Sequence, residues 1–89
     1  MSFEIYATKR FLKEFKKLDS EVQKRIKNKI AELKENPTLG IPLTAQFKGK
    51  WKLRIGNYRI IYEIDYKANR IFLLAIGHRE NVYDREGFN

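Results

Sequence analysis

The stretch Trp51-Lys52-Leu53-Arg54-Ile55-Gly56-Asn57-Tyr58-Arg59-Ile60-Ile61-Tyr62 decides the fold. Two alternating, β-rich runs flank a Gly-Asn pair, and Gly and Asn tolerate the positive φ that tight hairpin turns need. With those two residues as the loop, the register follows: Ile55 faces Tyr58, Arg54 faces Arg59, Leu53 faces Ile60, Lys52 faces Ile61 and Trp51 faces Tyr62. Side chains alternate along a strand, so Trp51, Leu53, Ile55, Tyr58, Ile60 and Tyr62 share a core face, while Lys52, Arg54, Arg59, Ile61 and Glu63 share the other. Like charges directly opposite on a sheet, roughly 5 Å apart, are destabilising. Setting Arg54 against Arg59 therefore points to an anion. A solvated basic face is the plainer account, but it does not explain why both residues are Arg, the forked donor suited to phosphate.

The rest of the composition agrees with an anionic partner. Across 89 residues, 19 Lys+Arg against 11 Asp+Glu give a formal net charge of +8, and the sequence pI is about 9.8. Such a balance suits nucleic acid first, an acidic protein second and an anionic membrane surface third. The length fits a single domain, 1–89, with one modest core. With no cysteine and one histidine, neither a disulfide framework nor a thiolate or histidine metal cluster is expected, and no cofactor is implied. No apolar run approaches the roughly 20 residues of a membrane span. The N-terminus lacks the order of a signal peptide, so a cytoplasmic protein without membrane association is expected.

Upstream, residues 2 to 7 alternate and predict a first strand with Phe3, Ile5 and Ala7 inward. Thr8 is placed to cap a helix in which Phe11, Leu12, Phe15 and Leu18 form one apolar face. Ser20 with Gln23 has the capping-box spacing for a second helix, in which Val22, Ile26, Ile30 and Leu33 recur until Asn36-Pro37 ends it. The two should pair antiparallel. Basic and acidic side chains alternate on their polar sides, which predicts a solvated surface rather than a nucleic-acid surface. Residues 37–50 read as a connection punctuated by Pro37, Gly40, Pro42 and Gly49.

Downstream, Asp65 to Asn69 predicts a turn, and the nearly continuous apolar run from Arg70 to Ile76 suits a central strand. Its register has two readings. A two-residue turn at Ala68-Asn69 sets His78 opposite Arg59, and one more loop residue sets Arg79 there. The fold expected is α+β, in the order β-α-α-β-β-β, with an antiparallel sheet packed against a helical hairpin.

Lys52, Arg54, Arg59 and Arg79, with His78 and Tyr83 as candidates beside them, converge on one side of this sheet. Such a cluster can bind a phosphodiester and can also act on it. Cleaving RNA requires deprotonating a 2′-hydroxyl, neutralising charge on phosphorus and protonating the leaving 5′-oxygen. None of these steps demands a metal. A tyrosine can act as base where neighbouring cations favour its phenolate. Each residue also has a structural reading: Tyr83 as a packing or surface residue, and His78 as a strand-end hydrogen bonder. Trp51, Tyr58 and Tyr62 fit a base-stacking platform, but their shared face favours the core.

The element order, the run from Trp51 to Tyr62 and the closing Gly77-His78-Arg79…Tyr83 resemble the RelE/ParE superfamily of bacterial and archaeal type II toxins, over essentially the whole chain. The resemblance implies, on its RelE branch, a metal-independent endoribonuclease that cuts messenger RNA in the ribosomal A site and leaves a 2′,3′-cyclic phosphate. Its ParE branch inhibits DNA gyrase by protein binding, and a catalytically degenerate co-repressor is a third form. By similarity, Arg59 stabilises transition-state charge, Arg79 protonates the leaving group, and Tyr83 stacks on the target base or takes the proton. Lys52 and Arg54 assist that abstraction and hold phosphate, with Lys50 and His78 as accessory candidates. The partner implied is an acidic, RelB-like antitoxin, whose complex with the toxin binds operator DNA. Two features depart from the pattern. Arg54 stands where lysine can occur, and a guanidinium, which keeps its proton in proteins, stabilises charge without shuttling protons. The interval from Arg79 to Tyr83 is also short.

Overall fold

The computed structural model describes residues 2–78. In chain order it contains β1 (Glu4–Ala7), α1 (Lys9–Lys16), α2 (Ser20–Glu35), a 3₁₀ turn (Pro37–Leu39), β2 (Ile41–Pro42), a second 3₁₀ turn (Ala45–Phe47), β3 (Lys50–Ile55), β4 (Tyr58–Asp65) and β5 (Arg70–His78). The α+β class and the element order are as expected, with the short β2 added from the stretch read as a connection. Among the described residues, no helix is long and apolar enough to cross a membrane.

The β3–β4 hairpin has the register read from the sequence, with Arg54 opposite Arg59 and Trp51 opposite Tyr62. Gly56 sits at φ +58 while Asn57 stays out of the left-handed region, the pattern of a type II′ turn, whose twist matches its strands. Leu53, Ile55, Ile60 and Tyr62 are buried together with Ile71, Leu73 and Ile76 of β5 and with Phe11, Ile26 and Leu33 of the helices. Trp51, Val22 and Ile30 pack against that cluster. Ala7, expected inward, is exposed, and Leu12 of α1 remains 46% exposed.

The sheet order is β1-β5-β4-β3-β2, so the apolar β5 lies between two strands. The sheet is mixed rather than purely antiparallel, because β1 runs parallel to β5, with Glu4 beside Arg70 and Ala7 beside Leu73. A parallel pair requires a crossover, and here the helical hairpin contributes to it. Beyond Ala7 the strand gives way to α1, which satisfies the backbone of β5 in its place. Thr8 N–H donates to the Leu73 carbonyl at 3.0 Å, Thr8 Oγ1 to the Leu74 carbonyl at 3.0 Å, and Ile76 N–H to Glu14 Oε1 at 3.0 Å. Buried backbone groups need such partners.

Neither reading of the β5 register holds: Gly77 stands opposite Arg59 and His78 opposite Tyr58. The turn is longer than two residues, since Asp65 pairs with Arg70. Asp65 Oδ1 accepts from the N–H groups of Lys67 and Ala68, both at 3.1 Å, and Asn69 takes a φ of +54. An Asx-type turn of this kind leaves a register in which Ile76 would face Arg59. A bulge between Ile61 and Tyr62, where Leu74 has no opposite residue, moves the strand on by one. It returns Ile76 to the core.

Local capping differs from the capping-box reading. Thr8 Oγ1 accepts from Phe11 N–H at 3.1 Å as expected, but the N-cap of α2 is Asp19. Gln23 Nε2 instead donates to the carbonyls of Phe15 and Leu18, at 3.1 and 3.0 Å. It adds a side-chain donor to carbonyls at the end of α1, where the regular helical ladder stops.

Candidate active site

Strand alternation and the hairpin register put Lys52, Arg54 and Arg59 on the sheet face away from the helices. That face is not uniformly cationic. Ile61 and Ala75 are fully buried on it beneath Leu43 and Leu74, so the chain after β2 covers its middle. Toward β2 and the hairpin it stays open.

There, a pocket of about 350 Å³ wraps around the edge of β3, lined by Lys29, Leu39, Gly40, Ile41, Lys52, Leu53, Arg54 and Arg59. The edge is open because β2 pairs only with Lys52 and Trp51. Four of the lining side chains are cations and none is an acid. Arg54 is exposed, while Lys52 and Arg59 are half-buried. Opposed cations in a concave, partly dry setting raise the local potential and favour an anion.

The wall made by Gly40 and Ile41 is held by Tyr62. Its hydroxyl donates to the Pro37 carbonyl at 2.7 Å and accepts from Gly40 N–H at 3.1 Å. Burial pushes the Tyr62 phenol above its usual value, opposed by the Gly40 hydrogen bond and reinforced by Tyr66. The phenol is thus held neutral, a structural tie rather than a base. Trp51 stacks on Tyr62 with ring centroids 6.1 Å apart, so both aromatics belong to the core side. Gly40 admits no side chain, because a Cβ there would collide with the Lys52 carbonyl and approach Tyr62 Oη to 2.8 Å.

Lys50 and His78 do not line this pocket. Lys50 lies on the same face but is paired with Glu63 at 3.3 Å. His78 is brought opposite Tyr58, with the rings edge-on at 5.8 Å, and so sits on the helix-side face rather than beside Arg59. Alternation after the bulge accounts for this. Arg79 and Tyr83 lie outside the described residues. Lys29 is the lining cation that reading the sequence missed, having been assigned to a solvated helix surface. The signal was its position between Ile26, Ile30 and Leu33, at the margin of the buried stripe.

The arrangement can hold a phosphodiester and neutralise charge that develops on it. Among the described residues, no group of three or more His, Cys, Asp or Glu side chains is placed to hold a metal ion.

Residues 5–83 match the model of the family described as the ParE toxin of the type II toxin-antitoxin system parDE. The mRNA interferase toxin RelE of Escherichia coli is 31% identical over 86 residues, spanning 90% of this chain and 86% of that protein. The structure of isolated E. coli RelE superposes with a TM-score of 0.77 at 25% identity, covering 93% of each chain. The toxin in the RelBE2 toxin-antitoxin complex of Mycobacterium tuberculosis superposes with a TM-score of 0.84 at 23% identity, covering 89% of this chain and all of that one. Hairpin, element order and near full-length similarity agree: the chain belongs to the RelE/ParE superfamily of type II toxin–antitoxin toxins.

Proposed function

We propose that the protein is the toxin of a type II pair and acts as a metal-independent endoribonuclease on messenger RNA in the ribosomal A site. The observation that carries this reading is the acid-free pocket in which Lys52, Arg54 and Arg59 converge at an open sheet edge. The E. coli relative is named an mRNA interferase.

In the reaction, the 2′-oxygen loses its proton and bonds to the adjacent phosphorus. The bond from phosphorus to the 5′-oxygen breaks, giving a 2′,3′-cyclic phosphate and a protonated 5′-hydroxyl. Charge on the nonbridging oxygens grows as the new bond forms, and fixed donors at those oxygens stabilise the transition state more than the ground state. Arg59, half-buried on the central strand β4, supplies that stabilisation. Lys52 and Arg54 hold the phosphate by donating to the same oxygens, so their contacts also strengthen as charge grows there. Arg79 as proton donor to the leaving oxygen and Tyr83 as stacking residue or base complete the set by similarity.

Inhibition follows from the same surface. A RelB-type partner, as in the solved complexes of related toxins, neutralises the toxin here by laying an acidic segment over Lys52, Arg54 and Arg59 or by displacing the tail that carries Tyr83. Binding of that segment weakens with salt. The toxin–antitoxin complex binds its operator DNA.

The ParE description of the matched family motivates a second reading, inhibition of DNA gyrase by protein contact. Induced expression followed by mapping of messenger RNA ends separates the two. In-frame cuts on translated messages are expected. Intact messages with gyrase-linked DNA damage would replace the nuclease reading with the second.

A further inference from the structure

Lys29 belongs to α2, yet it lines the same pocket as Lys52, Arg54 and Arg59. It reaches the pocket from the helix side, past the edge that β2 leaves uncovered beyond Lys52. Its neighbours on the helix explain the direction. Ile26 and Leu33 are buried and Ile30 packs against the core, so a side chain at position 29 emerges at the margin of that stripe. Its ammonium contacts Glu32 Oε2 at 3.5 Å, with the two side chains 36% and 56% exposed. An exposed pair of this kind contributes little to stability. The ammonium can exchange that carboxylate for a phosphate at small cost.

The opposite wall supplies the second feature. Ile41 is 60% exposed and stands opposite Lys52 in the β2–β3 pair. It is a large apolar side chain at the rim of a cationic pocket. A nucleotide pairs these two properties, with an anionic linkage on one side and an apolar base on the other.

We infer that the pocket holds a nucleotide flanking the cut. Lys29 binds a phosphate next to the scissile one, and Ile41 packs against the base. The RNA strand then bends around the open edge of β3, with the scissile phosphate on the outer face and its neighbour at the helix side. Lys29 is a positioning residue under this assignment. Its charge acts on binding, and the reacting phosphate remains with Arg59, Arg54 and Lys52. The inference rests on the nuclease reading and adds to it a subsite and a residue from a different element.

The test is cleavage on ribosomes programmed with a short message in which each phosphodiester flanking the cut is replaced, in turn, by a neutral methylphosphonate. The unaltered protein, Lys29→Gln and Lys29→Arg are compared. For the unaltered protein, one flanking replacement should raise the toxin concentration for half-maximal cleavage by roughly two- to fivefold, the upper part of the range for one exposed charge pair. Lys29→Gln should show that increase on the unmodified message and no further increase with the replacement. Its rate at saturation should move much less than its half-saturation. Lys29→Arg should behave like the unaltered protein. Replacements that cost Lys29→Gln as much as they cost the unaltered protein, at every flanking position, would overturn the assignment. So would half-saturation unchanged in Lys29→Gln. If the unaltered protein makes no cut on the unmodified message, the nuclease reading itself fails, and the subsite with it.

Discussion

Arg54 and Arg59 stand directly opposite each other across the β3–β4 hairpin, with Gly77 on the far side of Arg59. The pair is held in place by the register of the core face beneath it, because moving β3 by one residue would expose Leu53 and Ile55, and moving β4 would expose Ile60 and Tyr62. Packing thus sets two like charges opposite each other, an arrangement that favours an anion at this face.

Replacing Arg54 by Thr, a good strand former, should leave the fold equally stable or more stable by about 0.2 to 1 kcal/mol. The gain should be larger at low salt, where screening is weak. Message cleavage should fall by about a hundredfold, the order seen when one donor to a developing oxyanion is removed. Denaturant midpoints at two salt concentrations, set beside cleavage rates, check both halves. A large stability loss would show Arg54 to be structural.

Tyr62→Phe removes the hydroxyl shared by the Pro37 carbonyl and Gly40 N–H, and should cost about 1 to 3 kcal/mol. The cost should depend on pH in a defined direction. The phenol is raised above its usual value in the folded protein, so its contribution is fully present below the unfolded value near 10 and is lost as pH rises through the folded value. The stability gap between the unaltered protein and the Tyr62→Phe variant, followed by urea unfolding, should be flat to about pH 9 and narrow above about pH 10. A gap that widens there would contradict the burial of this phenol.

Ala45 has a φ of +56 in the turn after β2, a left-handed conformation that costs a residue with a Cβ roughly 1 kcal/mol or more. Ala45→Gly should raise stability by about 0.5 to 1 kcal/mol after the added entropy of glycine in the unfolded chain is set against it. Thermal melts suffice to measure it. Loss of stability would mean that the Ala45 methyl contributes packing that outweighs the strain.

Chelation should spare the activity. The chain has no cysteine and one histidine, and the proposed chemistry runs on fixed cations. Cleavage of ribosome-bound message should persist in EDTA, at a free magnesium concentration that keeps ribosomes intact. Activity lost on dialysis and restored by a transition metal would refute the scheme.

Local rules carried much of this structure. The hairpin was legible residue by residue from Trp51 to Tyr62, because the Gly56-Asn57 turn and strict alternation are properties of neighbouring residues, and they set Lys52, Arg54 and Arg59 on one face. Helix α2 and the burial of Ile26 and Leu33 followed from periodicity for the same reason. Other features depend on contacts between segments far apart in the chain. The parallel seating of β1 beside β5 joins the first strand to the last, and no local signal specifies that pairing. The bulge at Leu74 resolves a conflict between the Asp65–Arg70 turn and the need to bury Ile76, and it sets His78 opposite Tyr58 on the helix-side face. Gln23 was read as part of its own helix's cap, yet its amide donates to the Phe15 and Leu18 carbonyls at and just past the end of the preceding helix, acceptors that the turn between the helices, not the capping-box spacing, brings within reach. Lys29 read as solvated because helical periodicity says only that it borders the apolar stripe. The docking of α2 against β3 decides that this border opens into the pocket.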